Sequence, residues 1–351
     1  MQSAIAACTT LSPSECRHFV EHGYVVVTEA FPRELAAELQ EAHWQELEGK
    51  GILRGDPSTW SETPYVRVGG DPQHHIMARR GDAAAKALLP DIPIRLLSDV
   101  APRALGAQLD VVRGNVSPST VSEMELPGTC AVNLCRPVDG QALGATSPGW
   151  HKDGWQYRHF LDSPEQGLLL MYMFSDILPN SGGTQVALDS IKVVAEFFAQ
   201  HPEGVHPDIA QGPVLTPFLQ HMAEQGGETM RFAELTGKAG SLAIIHPYMM
   251  HRTAPNPSGR ARFASHPSLL LAAPMDFARE DQAHSLCELV TLRALGLERL
   301  DFRGAVAAAG GVRELVTPPP ARDEGEKAVE TRRVQLEKER MRGRHPLLAN
   351  L

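Results

Sequence analysis

Cysteine is scarce in this chain. The five present, Cys8, Cys16, Cys130, Cys135 and Cys287, form no Cys-x-x-Cys pair and leave one over. Neither a structural zinc site nor a disulfide framework is indicated, and reduced thiols are expected. Long apolar runs are also missing. The longest, such as Leu168 to Phe174, is far too short to span a bilayer. The first ten residues carry neither a basic start nor an apolar stretch, so no signal peptide is expected, and the expected location is cytoplasmic. Positive charge is in deficit, with 33 basic against 42 acidic residues and a net charge of −9. A nucleic-acid partner would ask for a basic footprint, so none is expected. Internal repeats are absent. What remains is 42% hydrophobic and 21% charged residues over 351 positions, ample for a sizeable core.

The N-terminal part reads as helices and loops. Ser12 with Glu15 three residues on forms a capping box, Pro13 suits the first helical position, and Gly23 ends the helix. Val25 to Val27 reads as a strand. A second helix starts at Pro32, with Leu35, Leu39, His43 and Leu47 at helical spacing. Residues 54–82 read as long irregular loops, and a further helix is expected over 91–105.

From residue 109 the texture changes. Short apolar segments, Leu109–Val112, Cys130–Cys135, Gly167–Phe174, Thr184–Leu188, Ser241–His246 and Arg262–Leu271, alternate with Gly/Pro turn clusters. That pattern predicts a β-sandwich or barrel. Helix interrupts it near 190–200 and again near 214–225. The expected division is 1–108 as helices and loops packing on the core, 109–274 as the catalytic core with an insertion at about 190–235, and 275–351 as a helical extension. Residues 324–343 are almost all charged, with a thin apolar stripe of Val329 and Leu336, and read as a solvated surface helix.

The chemistry starts at Trp150-His151-Lys152-Asp153-Gly154. On an extended strand, residues two apart share a face, so His151 and Asp153 can chelate one metal. Alone the pair says little, because about one His-x-Asp is expected by chance at this composition. His251, 98 residues after Asp153, follows a strand-like segment. Two histidines and one carboxylate make the facial triad that holds non-haem Fe(II) with positions open. Arg262 follows eleven residues later. A hairpin through 253–259 would fold it back beside His251, where a guanidinium could fork onto a carboxylate. Iron plus that arginine is what 2-oxoglutarate requires, with O2 in the last position. Thr253 shares the side of His251 if extended, and Asn133 lies on the strand before the motif; both are candidates for the same cosubstrate. Trp155, Tyr157 and Arg158, with His159, follow the motif where a substrate rim is expected. His266 shares the face of Arg262. His246 reads as core or as support rather than ligand, Cys130 and Cys135 as packing, and Arg67, Arg79 and Arg80 as solvated loop charges.

These pieces resemble the phytanoyl-CoA dioxygenase family of Fe(II)/2-oxoglutarate oxygenases. The resemblance covers roughly residues 15–272. It rests on Phe19-Val-Glu-His-Gly23-Tyr24, on His151-Lys-Asp153, on Asn180-Ser-Gly182-Gly183-Thr184, on Gly240 through His251, and on Asn256 and Arg262. It implies a double-stranded β-helix (jelly roll, cupin-like) with flanking helices, and oxidation of an unactivated C–H bond with 2-oxoglutarate going to succinate. Asp153 is kept where related halogenases lose the carboxylate, which favours hydroxylation. Where the family often has Gly-Ser-His, this chain has Asp189-Ser190-Ile191, in a loop that borders the substrate pocket. Two other classes remain: a zinc-dependent hydrolase on the same three ligands, and a non-catalytic ligand-binding β-helix protein. The substrate class is a small molecule, and oligomeric state is open.

Overall fold

Ser12 caps the first long helix as its sequence requires. In the computed structural model its Oγ accepts from Glu15 N at 3.3 Å, Glu15 Oε2 accepts from Ser12 N at 2.7 Å, and Gly23 closes the helix at φ 74°. The structure describes residues 1–60, the backbone of 65–68, and residues 95–134, 147, 149–210 and 230–341. Helix Pro13–His22 buries Cys16, Phe19 and Val20, and hands the chain to β1 (Tyr24–Val27).

Two antiparallel sheets follow. The larger holds β1, β7 (Leu242–Ile245), β4 (Leu168–Met173), β9 (Arg262–Ser265), β3 (Cys130–Asn133) and β2 (Tyr65–Val68) in that order, with β10 (Ser268–Leu269) paired to β4. The smaller holds β6 (Phe232–Leu235), β5 (Thr184–Ala187) and β8 (Met250–Thr253). Along the chain, β4 lies in the first sheet, β5 and β6 in the second, β7 in the first, β8 in the second and β9 in the first. This repeated change of sheet is the jelly-roll path, so the fold is the double-stranded β-helix. All six residues of β4 and all four of β7 are buried. Strands covered on both faces read as apolar runs rather than alternations. Helix Leu286–Leu295 packs against helices Ser190–Ala199 and Pro13–His22 outside the sheets. Among the described residues no helix is long and apolar enough to cross a membrane.

Several expectations change. Leu109–Val112 is not a strand but the end of helix Pro102–Val111. Its buried residues Ala104, Ala107, Gln108 and Val111 recur at helical spacing, and tertiary packing of that face outweighs two β-branched valines. The helix expected over 91–105 is two pieces, Leu97–Val100 and Pro102–Val111, because Pro102 lacks the N–H needed to continue the first. Residues 54–82 hold a short 3-10 turn, Pro57–Trp60, and β2. The strands β1 and β2 make the two ends of the larger sheet's path, so the first hundred residues supply sheet as well as helix. The helix expected near 214–225, Cys135, Arg79 and Arg80 lie outside the described residues, as does the side chain of Arg67.

The charged helix Glu324–Met341 is not simply solvated. Its inward stripe is itself charged: Glu330 accepts from buried His206 Nε2 at 2.6 Å, and Glu337 accepts from Arg158 Nη1 at 3.0 Å and from His206 N at 2.7 Å. Val329 is exposed instead.

Candidate metal centre

His151 sits outside any long strand, yet its backbone is paired. It makes an isolated antiparallel bridge with His251 on β8, N to O at 3.0 and 2.9 Å. The motif thus extends the smaller sheet by one residue and sets two imidazoles side by side, ring centroids 4.4 Å apart. Each ring is tied by Nδ1 to the backbone carbonyl two residues earlier, His151 to Gly149 at 2.9 Å and His251 to Met249 at 3.1 Å. Such bonds fix the Nε2 lone pairs as the ones on offer. Asp153 lies between them, Oδ1 3.5 Å from His151 Nε2 and Oδ2 3.6 Å from His251 Nε2.

One ligand atom from each of the three lies within 4.8 Å of the others, close enough to hold one metal ion. Burial pushes the Asp153 carboxyl up, but the neighbouring His251 charge and the His151 contact overcome this and hold it well below the usual range. Burial first, and His151 second, push His251 down to about 4. An ionised carboxylate and a neutral imidazole are the forms that ligate. Two nitrogens and one oxygen suit Fe(II), and with one negative charge among them a divalent cation keeps net positive charge for an anionic chelator.

Arg262 arrives differently from the expected hairpin. β8 and β9 belong to different sheets, so residues 254–261 cross between sheets rather than turn back. Arg262 instead pairs with Asn133 across the β3–β9 ladder. The guanidinium is 1% exposed; its Nε donates to Gly182 O at 2.7 Å and its Nη1 to Ala131 O at 3.0 Å. Asn133 Nδ2 donates to the same Gly182 O at 3.0 Å and to Ala254 O at 2.9 Å. Carbonyls orient a guanidinium without neutralising it. Gly182 has φ 79°, and a Cβ there would lie 2.5 Å from Asn133 Nδ2, so this turn needs glycine. Thr253, exposed at the end of β8, faces Thr184 across the ladder. His266 is exposed, its Nε2 3.2 Å from Thr184 Oγ1, and its charge is felt at Asp153.

Three expected rim residues turn away, among them His159, 1% exposed with its ring nitrogens on Lys152 Nζ and Gly154 O. Tyr157 is 1% exposed and donates to Gln166 Oε1 at 3.0 Å. Arg158 reaches the C-terminal segment, with Nε on Glu314 at 2.9 Å and Nη1 on Glu337 and on Gly204 O. The cause lies in residues 314–316, whose backbone pairs with 156–158 and claims this stretch. Trp155 is half-buried beside the motif. His246 is buried between β7 and β8, its Nε2 3.0 Å from Thr291 Oγ1, apart from the triad.

The sequence reading passed over Lys152 and Gly154. Lys152 is 1% exposed, and its Nζ contacts Asp153 O, His159 Nδ1 and Gln166 Oε1 at 2.9, 3.0 and 3.2 Å. Burial pushes its ammonium down to about 7 against the pull of Asp153 and Glu165. The only sequence signal was position, since a residue between two ligands on a strand must face the other way.

The phytanoyl-CoA dioxygenase (PhyH) family matches residues 19–264. A search of curated proteins returned no match. Among solved structures, SnoK, a non-heme alpha ketoglutarate dependent carbocyclase from nogalamycin biosynthesis, is 13% identical at TM-score 0.39, covering 73% of this chain and 82% of its own. HygX from Streptomyces hygroscopicus, solved with nickel and 2-oxoglutarate bound, is 16% identical at 0.36, covering 73% and 85%. EctD from S. alaskensis is 15% identical at 0.34, covering 74% and 76%. At these scores none of the three weighs on the fold or chemistry of this chain.

Proposed function

This chain belongs to the phytanoyl-CoA dioxygenase family, and from that premise we propose that it is an Fe(II)- and 2-oxoglutarate-dependent dioxygenase that hydroxylates an unactivated C–H bond of a small organic substrate, releasing succinate and CO2. The observation that carries the reading is the convergence of His151, Asp153 and His251, with both histidine Nδ1 atoms already engaged by backbone carbonyls.

The three side chains would hold the iron. When bound with 2-oxoglutarate and O2, the iron supplies the oxidising power for C–H cleavage. The chain's own residues bind, orient and shield. Arg262, braced by Gly182 O and Ala131 O, takes the distal carboxylate of 2-oxoglutarate, a fork that a buried guanidinium recognises better than an ammonium. Asn133 holds the Gly182 and Ala254 carbonyls in place around that arginine, and Thr253 borders the same end of β8. Trp155, half-buried two residues after Asp153, and the exposed His266, whose Nε2 lies 3.2 Å from Thr184 Oγ1, are the residues we assign to substrate contact. A net charge of −9 supplies no basic excess for nucleic acid, and the partner we propose is the small-molecule substrate.

The test is anaerobic titration of the Fe(II)-loaded protein with 2-oxoglutarate, following the weak visible charge-transfer band, beside Asp153→Ala and Arg262→Ala. The band is expected in the wild type and should weaken in both variants. A wild type without the band at saturating 2-oxoglutarate refutes the assignment and leaves the zinc-dependent hydrolase and the non-catalytic binding protein as the readings to test.

A further inference from the structure

Lys152 stands between two metal ligands with its side chain buried against Asp153 O, His159 and Gln166. A cation so fully buried is costly unless its donors are met. Here all three ammonium protons have acceptors: the carbonyl of Asp153, the amide oxygen of Gln166 and Nδ1 of His159. The rings of Tyr157, Phe198 and Tyr248 close round Nζ at 5.9, 5.7 and 6.0 Å. His159 in turn contacts Gly154 O through Nε2 at 2.6 Å, so its Nδ1 is the acceptor and its Nε2 the donor.

This box grips the backbone immediately after His151. Lys152 takes the carbonyl of Asp153 and His159 takes that of Gly154. Gly154 itself bends at φ 118°, and a Cβ there would lie 2.6 Å from His159 Cε1 and 2.7 Å from Tyr157 Oη. Two consecutive carbonyls are therefore held by the box, and the first belongs to Asp153, whose carboxylate lies 3.5 and 3.6 Å from the two histidine Nε2 atoms. Groups that orient a ligand affect metal affinity about 10–100-fold without touching the metal.

We propose that Lys152 is a positioning residue for the metal centre: through the Asp153 carbonyl and the box of His159, Gln166, Tyr157, Phe198 and Tyr248, it sets the direction in which Asp153 presents its carboxylate between His151 and His251. The inference rests on the metal reading of the triad.

The test uses the full chain, loaded anaerobically with Co(II), whose visible d–d bands report both affinity and ligand geometry. Lys152→Met fills the box with an unbranched apolar chain and removes all three donors. Val20→Ala, in helix Pro13–His22, trims a buried side chain outside the metal site and controls for general loss of stability. The expected result is a Co(II) Kd at least tenfold weaker in Lys152→Met, with shifted d–d bands, while Val20→Ala binds as the wild type does. Lys152→Met binding within twofold of wild type with unchanged bands overturns the inference and leaves the metal reading intact. Equal weakening in Val20→Ala overturns it too, because the effect is then global. A wild type that binds no Co(II) takes down both readings. Where Lys152→Met does not fold, His159→Phe carries the test; it keeps the ring against Tyr157 and Phe198 and removes one acceptor of Lys152 and the Gly154 contact. Several-fold weaker Co(II) binding supports the inference, and unchanged binding refutes it.

Discussion

Glu337 offers a direct measure of how firmly the C-terminal helix holds the core. Its carboxylate accepts two bonds, from Arg158 Nη1 at 3.0 Å and His206 N at 2.7 Å, and its side chain is 11% exposed against 12% for Arg158. A hydrogen bond involving a charged group contributes about 1.5–3 kcal/mol. Arg158 keeps Glu314 and Gly204 O when Glu337 is lost, so the full penalty of an orphaned buried charge does not apply. Glu337→Ala should therefore cost about 3 kcal/mol, counting both bonds near the low end. With an unfolding entropy of about 2.1 cal/mol/K per residue, that lowers Tm by roughly 4 °C in a chain of this length. Glu337→Gln keeps neutral bonding and should cost about half as much. In a double-mutant cycle with Arg158→Met, read by urea unfolding, the coupling should reach about 1.5 kcal/mol. It should persist in 0.5 M salt, because the pair is largely shielded from solvent. A Glu337→Ala protein melting within about 1 °C of wild type, or a coupling under about 0.5 kcal/mol, would show that the helix lies on the surface without bracing the 156–158 strip.

Other outcomes follow from single residues. Gly182→Ala should weaken 2-oxoglutarate binding about tenfold or more in the charge-transfer titration, since the new Cβ displaces Asn133 and the carbonyl that orients Arg262; unchanged affinity would detach that turn from the cosubstrate. Arg262→Lys should weaken the same binding, because an ammonium cannot span Gly182 O and Ala131 O and still fork onto a carboxylate; affinity within twofold of wild type would argue against Arg262 as the anchor. His43 is 0% exposed and burial pushes it down to about 4 from an ordinary value near 6.5. Its folded pKa is the lower one, so the unfolded chain takes up the proton first. Stability is whole above about pH 6.5 and falls by about 1.4 kcal/mol per unit as pH drops toward 4. Between pH 7 and pH 5 the wild type should lose about 2 kcal/mol more than His43→Met in urea unfolding; parallel losses would mean that His43 does not titrate with unfolding.

What was legible beforehand is what local sequence encodes. The helix after Ser12 follows from a capping box and a terminal glycine, both within eleven positions. The His151 and Asp153 pair follows from two-residue alternation, and His251 from its place after an apolar strand. The hairpin expected to bring Arg262 back beside His251 is instead a crossing between sheets that pairs it with Asn133, because nothing local distinguishes the two. Tyr157 and Arg158 were misplaced because their partners, Gln166, Glu314 and Glu337, include residues more than 150 positions away. The helix Glu324–Met341 hid its buried face because that face is made of glutamates, which a search for apolar periodicity passes over. Lys152 hid among the ligands for a different reason: its box is assembled from Tyr157, Phe198 and Tyr248, which only the closed fold brings together.

The bridge between His151 and His251 has a consequence for the chain as it is made. A ribosome adds about 5–20 residues per second. Asp153 therefore waits roughly 5–20 s before His251 exists, and roughly 10–40 s before Glu337 can brace Arg158. Until His251 is made a nascent chain holds two ligands of three, and until Glu337 is made the strip after them is not fully claimed. The third ligand thus arrives only with His251, and a messenger truncated before its codon would yield protein unable to close the triad around the metal.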